Sequence, residues 1–429
     1  MLRREFVRMV SGAAAAGALS TRALHAWPRL EDILRADGVR PDSAHFWRLV
    51  RGQFLLDRDV AYLNTGGLGA SPLPAIRKLK EMIDAEECHP SAGHDKADWW
   101  RFKEKFAPWL GPEVSPRELA LTGTATEGIN IVLNGLPWAA GDEVITSTHE
   151  HPAVNVPLLL KRQRQRIVIR TFEPDVERGS GNTERIAALI TPRTRLIIIS
   201  HVTCTLGQQF PIAEIGDLAR SRDILFALDG VQAIGQVPLD LKKAGVDFYA
   251  VSGHKWMHGT KRTGILYVRE DRFDHLQPTV VGAHSSAQCD MAAGTLTLHP
   301  TAQRYEFATQ NEALFYGLAA AVDFIDTIGR DVINAHNRRL SEAFYEALGS
   351  IDGVEILSPR ESEWRTHMIT FRLGGRDNEP VYDELRQRKL RVRKVNEHAL
   401  DAIRVSFALY NHEVELDRLL TEIHDLARS

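Results

Sequence analysis

Between Tyr62 and Val268 the chain repeats one pattern: a short unbroken apolar run, then in most cases a helix-like segment, then another run. The runs are Glu118–Leu121, Glu143–Thr146, Ile167–Thr171, Leu196–Ser200, Leu225–Leu228, Phe248–Val251 and Ile265–Val268. A strand with one wet face alternates apolar and polar residues. These do not, so each is predicted to be a strand buried on both faces. Helical segments such as Thr183–Ile190 and Ile212–Arg220 lie between them. Such an order folds as an α/β domain, a mostly parallel seven-stranded sheet with helices on both sides. A long helix is predicted over Asn311–Ile328. Beyond it the pattern changes to strands at Val354–Leu357, Met368–Arg372 and Ile403–Phe407 with helices at Val381–Lys389 and from Glu413, a smaller α+β C-terminal domain. The expected organisation is residues 1–26 as a leader, 27–60 as a helical segment, 61–310 as the large domain, and 311–429 as the linking helix and small domain.

The net charge of −3 over 429 residues gives no electrostatic reason to expect nucleic acid as a partner. No stretch reaches the roughly 18 apolar residues of a membrane helix. The N-terminus reads as an address. Leu2-Arg3-Arg4-Glu5-Phe6 precedes a mildly apolar stretch, Met9–Leu19, and Leu24-His25-Ala26 offers a cleavage site before Trp27. Paired arginines ahead of a weakly hydrophobic core look like a twin-arginine export signal, although Leu2 stands where Ser or Thr is usual. The mature chain is then expected in the periplasm, delivered by the twin-arginine machinery. A helix belonging to the fold and an uncleaved anchor are the alternatives. Cys88, Cys204 and Cys289 are too few and too irregularly spaced for a disulfide framework or a zinc site, and are expected to be buried and inert.

Two strand ends carry an acid and a lysine. Asp229 opens Asp229-Gly230-Val231-Gln232, and Lys255 closes Ser252-Gly253-His254-Lys255, 26 residues later. In open parallel sheets the chemistry sits at the carboxyl ends of the strands. A lysine amine there can form a Schiff base with an aldehyde cofactor, and the carboxylate can keep a pyridine nitrogen protonated. The pair therefore suits pyridoxal phosphate. Thr122–Asn130 follows a strand and opens a helix, so small residues at its N-terminus face an anion such as a phosphate. Thr124 or Thr126 serving only as an N-cap is an equal reading. His151, in Glu150-His151-Pro152, can lie against the ring. A metal pair of His149 and His151 finds no nearby Cys or carboxylate to complete a set, so no metal is expected.

Together these segments resemble the class V aminotransferase-like family of pyridoxal phosphate fold type I enzymes, from about Tyr62 to the C-terminus. That family includes cysteine desulfurases, isopenicillin N epimerase-like proteins and C–S lyases. The resemblance implies that Lys255 bonds the cofactor and Asp229 pairs with its pyridine nitrogen. Gln232 would face its phenolic oxygen, and His151 would stack on the ring. Ala125, Thr126, Ser252 and His254 would hold the phosphate. In Arg304–Asn311, Thr309 would reach the phosphate of a neighbouring subunit, making a homodimer. Arg404, in Ile403-Arg404-Val405-Ser406, would clamp the substrate α-carboxylate with its planar fork. Asn64-Thr65-Gly66-Gly67-Leu68-Gly69 resembles the family's glycine-rich entry segment, with Asn64 toward the substrate, although a bare turn reads equally well.

Two departures bear on the reaction. Cys204 stands where desulfurase-like members carry an asparagine near the cofactor, and a thiol is a poor hydrogen-bond donor. The segment Arg393–Ala399 lacks the mobile cysteine that persulfide-forming desulfurases need. The expected function is therefore aminotransferase- or epimerase-like chemistry on an amino acid or amine-bearing peptide. A β-eliminating C–S lyase comes second, and a catalytically inactive binding relative last.

Overall fold

The computed structural model describes residues 43–90 and 96–428; the leader and residues 27–42 lie outside them. Seven strands form the main sheet: β1 (Leu119–Thr122), β2 (Glu143–Ser147), β3 (Val168–Phe172), β4 (Thr194–Ser200), β5 (Leu225–Asp229), β6 (Phe248–Ser252) and β7 (Gly264–Val268). Their order is β1-β7-β6-β5-β4-β2-β3, and all run in one direction except β7, which is antiparallel to both neighbours. Every expected strand is present, with ends within two residues of those read from sequence.

The absence of polar alternation has a direct structural cause. Along β4, Ile197 and Ile199 enter one buried cluster while Leu196 and Ile198 enter another on the opposite face. Tyr249 and Val251 on β6 separate from Phe248 and Ala250 in the same way. Both faces are core, so both parities of the strand must be apolar.

The smaller C-terminal layer is a four-stranded antiparallel sheet, β8 (Val354–Ile356), β9 (Met368–Leu373), β10 (Arg393–Val395) and β11 (Ala402–Ser406), in the order β8-β9-β11-β10. Helices Arg330–Leu348 and Glu413–Arg428 pack on it through Leu340, Phe344, Leu419 and Ile423. The chain around residue 61 belongs physically to this layer. Ala61 and Tyr62 pair in parallel with Leu390 and Arg391, and Leu63 lies in the small cluster. The segment that follows crosses to the large domain, so it lies where the two layers meet. An exposed hairpin, Ser286–Asp290 with Thr295–Leu298, was not legible as strands, because its alternation is mostly polar and faces solvent.

Among the described residues no helix is long and apolar enough to cross a membrane. The cysteines correct one expectation: Cys204 is buried, but Cys88 and Cys289 are exposed.

Candidate active site

The parallel register sets Ser200, Asp229 and Ala250 side by side, so β4, β5 and β6 deliver their C-terminal ends to one place. A cavity of about 210 Å3 opens there. Its lining includes Thr124, Ala125, Thr126, His151, Cys204, Asp229, Gln232, Ser252, His254 and Lys255. Nine of the twelve residues expected from sequence therefore converge on one cavity.

At one end the helix Ala125–Gly135 presents its N-terminus. Thr124 is the N-cap, accepting from the Glu127 amide at 3.1 Å, while Ser252 Oγ accepts from the Ala125 amide at 3.0 Å. The N-cap reading of this segment holds for Thr124, while Thr126 lies on the cavity wall. His254 adds a ring nitrogen, Nδ1, that is buried without a partner. Hydroxyls, a helix N-terminus and an unpartnered imidazole nitrogen form a cradle for an anion such as a phosphate.

At the other end lies Asp229, whose Oδ1 accepts from the Val231 amide at 3.0 Å. Burial raises its carboxyl above the ordinary value, against the pull of that amide and of Lys255. Burial likewise pushes the Lys255 amine down to about 8, opposed by Cys204 and Asp229. An amine lowered in this way is a competent nucleophile near neutral pH. Burial, then the Lys255 charge, takes His151 down to about 4, so its ring is neutral and suited to packing against another ring. His151 Nδ1 also caps its own helix, accepting from the Ala153 amide at 3.1 Å. Gln232 is fixed on both sides, donating to Gly66 O at 2.8 Å and accepting from Trp256 Nε1 at 2.9 Å.

Arg404 and Asn64 stand behind the wall. The Arg404 side chain is fully buried, donating from Nη1 to Cys204 O and from Nη2 to Asn64 Oδ1 at 3.2 Å, with Nε unpartnered. Burial and then the neighbouring Arg393 lower its proton affinity. Among the described residues no carboxylate is hydrogen-bonded to this guanidinium. The Asn64–Gly69 segment is more than a turn: Gly69 N donates to His254 O at 2.8 Å, so it lies against the Lys255 loop.

Thr309 does not join this cavity; it is exposed. Its segment is anchored from behind. Buried Glu306 accepts from Leu121 N and Trp99 Nε1, each at 2.8 Å, and pairs with Lys103 at 2.8 Å. Gln310 donates to Leu121 O at 2.8 Å. The anchored segment turns Phe307, Ala308 and Thr309 outward.

Two groups escaped sequence reasoning. Glu150 is fully buried, held by Ser147 Oγ at 2.5 Å and Ser200 Oγ at 2.6 Å, and burial pushes it up to about 7. Adjacency to His151 was the only signal for it. Arg393 donates to Cys204 O at 3.0 Å and pairs with Glu397. The expectation that no carboxylate accompanies His149 is corrected: Glu173 lies 2.9 Å from its Nε2, brought there by the pairing of β2 with β3.

A family model described as aminotransferase class-V matches residues 85–419. The isopenicillin N epimerase of Streptomyces clavuligerus is 30% identical over 389 residues, spanning 87% of this chain and 96% of its own. A cysteine desulfurase of Salmonella agona is 32% identical over 73% of this chain and 79% of its own. Among solved structures, the cystine C–S lyase C-DES bound to its product cysteine persulfide superposes with a TM-score of 0.79. It is 26% identical, and the match covers 86% of this chain and 98% of that one.

Proposed function

Because the chain belongs to the class V aminotransferase family of pyridoxal phosphate-dependent enzymes, we propose that it removes the Cα proton of an amino acid or amine-bearing peptide in an aminotransferase- or epimerase-like reaction. The observation that carries this reading is the buried Lys255 amine, facing Asp229 across a cavity closed at the other end by an anion cradle. When bound, the cofactor supplies an electron sink for charge developing at Cα.

The chain's own residues divide the remaining work. Ala125, Thr126, Ser252 and His254 hold the phosphate, and Asp229 presents its carboxylate to the ring nitrogen. His151 packs against the ring face, and Gln232, fixed by Trp256, faces the phenolic oxygen. Arg404 and Asn64 fix the substrate carboxylate, which orients the Cα–H bond. Lys255 Nζ, once released, accepts that proton as general base. Whether the proton that Lys255 holds is given back away from Cα or a second donor supplies one to the opposite face of Cα would decide between transamination and epimerisation.

A β-eliminating C–S lyase is the second reading, favoured by the likeness to C-DES. Persulfide chemistry of the desulfurase type is not proposed, since Arg393–Ala399 lacks a cysteine and burial raises the Cys204 thiol. The enzyme is proposed to be a homodimer in which Thr309 completes the partner's phosphate site, and to reach the periplasm through its twin-arginine leader.

The purified protein is expected to absorb at about 410–430 nm, the region of a lysine-bound cofactor, and Lys255→Ala to lose that band while staying folded. An amino-acid and peptide panel incubated in D2O then separates the outcomes, with deuterium at Cα, a keto acid, or released thiol as readouts. No band after added pyridoxal phosphate, or full turnover by Lys255→Ala, refutes the assignment.

A further inference from the structure

We propose that His149, Glu173 and His398 form a binding site for one divalent transition-metal cation, of which Zn2+ is the natural probe. The three come from separate parts of the fold. His149 lies in the turn after β2, Glu173 directly follows β3, and His398 lies in the short turn Glu397–Ala399 between β10 and β11. Their ligating atoms all fall within 4.8 Å of one another. Glu173 Oε1 is 2.9 Å from His149 Nε2, and Glu173 Oε2 is 3.0 Å from His398 Nε2. The imidazoles approach the carboxylate from two sides, with ring centres 5.4 Å apart and planes tilted by 53°.

The donor set and spacing suit the ion. Two imidazoles and one carboxylate are a familiar ligand set for zinc, leaving a fourth position for water. Tetrahedral Zn–N and Zn–O bonds of about 2.0–2.2 Å separate neighbouring donors by roughly 3.3 Å. The two nitrogen–oxygen separations, 2.9 and 3.0 Å, fall short of that by only a few tenths of an ångström, a shift that exposed Glu173 and His398 can make. The supporting groups also fit. His149 Nδ1 lies 2.8 Å from Thr205 Oγ1, a buried hydroxyl that can accept the Nδ1 proton once an ion takes the place of the proton on Nε2, leaving the Nε2 lone pair for the cation. Thr148 Oγ1 donates to Glu173 Oε2 at 2.5 Å, orienting the carboxylate. Ligands held by such outer partners are the mark of a built metal site. Binding displaces the imidazole protons that face Glu173 and ties the turn before β11, hence the approach to Arg404, to the strand ends of the large domain.

The holoprotein, stripped by chelator and titrated with Co2+ and then Zn2+, tests this. Expected are one equivalent bound, visible d–d bands without thiolate charge transfer, and displacement by Zn2+. Glu173→Gln and His398→Ala, both at exposed positions, should lose binding at least tenfold. Thr205→Val, which removes only the outer partner, should weaken it roughly 10–100-fold. Equal affinity of the parent protein and these variants overturns the site, as does binding reported only by thiolate bands from exposed Cys88 or Cys289. In either case the three side chains are a hydrogen-bonded chain and nothing more.

Discussion

Gly69→Ala gives a sharp test of how the entry segment supports the lysine. A Cβ at position 69 would lie 2.1 Å from Lys255 O, 2.9 Å from Lys255 C and 3.1 Å from His254 O. Contacts under 3.0 Å are essentially never made by a real Cβ, so the two backbones must separate by nearly an ångström. Neither side yields freely. Gly69 N is bonded to His254 O at 2.8 Å, Ser71 Oγ to Gly259 O at 2.9 Å, and the Lys255 turn is closed by Gly259 N on Gly253 O at 2.8 Å. Overpacking of this kind costs about 1–3 kcal/mol, and loss of the Gly69–His254 bond adds about 1 kcal/mol. The expected destabilisation is therefore about 2–4 kcal/mol. Because an ångström of misplacement at a reacting group costs on the order of 100-fold in rate, turnover should fall further than stability explains. Denaturant unfolding of the cofactor-loaded protein reads the first quantity, and kcat at saturating cofactor reads the second. Unchanged stability with unchanged kcat would show that the segment does not bear on Lys255.

Other outcomes follow from the same geometry. Lys255 is held at about 8 in the fold, against roughly 10.4 when unfolded. The unfolded chain thus holds more protons between those values, and cofactor-free protein should gain stability, about 3 kcal/mol, as pH rises through that window. Lys255→Met should be the more stable protein at pH 7 and lack the gain, measured by urea unfolding across the window. Coexpression of Lys255→Ala with Thr309→Ala should restore activity above either variant alone, since a mixed dimer holds one site with both residues intact; no recovery places Thr309 outside the partner's site. Replacing Cys88, Cys204 and Cys289 together by Ser should leave turnover within about threefold, because no step proposed here uses a thiol. Loss of activity, or sulfide release that depends on one of them, restores the desulfurase reading.

What was legible in the chain followed from what leaves a periodic or chemical trace. Strands buried on both faces must be apolar at both parities, so all seven could be placed from Leu196-Ile197-Ile198-Ile199 and its counterparts. Asp229 and Lys255 were legible because strand ends collect chemistry in open sheets. The direction of β7 was not, since an antiparallel strand with two buried faces has the same composition as a parallel one. Glu150 was hidden for another reason: its setting depends on Ser200, which only the β4 register brings within reach. The meeting of His149 with Glu173 and His398 needs the pairing of β2 with β3 and a turn of the other domain, relations that no local spacing encodes.

The charges of the site, taken together, bear on the ligands proposed for it. Lys255, Arg393 and Arg404 converge near one buried carbonyl and one cavity, and Arg393 already has its counterion in Glu397. Asp229 faces Lys255, and Glu150, though fully buried, is raised toward neutrality by that burial. Arg404 is left with a buried, unpartnered Nε, and His254 with a buried, unpartnered Nδ1 beside Thr126 and Ser252. Burying a guanidinium without a carboxylate costs several kcal/mol unless a ligand completes it. Both places, Arg404 behind the cavity wall and the helix N-terminus on it, are suited to an anion. In the proposed reaction a cofactor phosphate at the helix and a substrate carboxylate at the arginine would complete these groups. A ligand lacking a carboxylate would leave Arg404 unpaired, so simple amines should bind more weakly than the corresponding amino acids by at least an order of magnitude in spectral titrations.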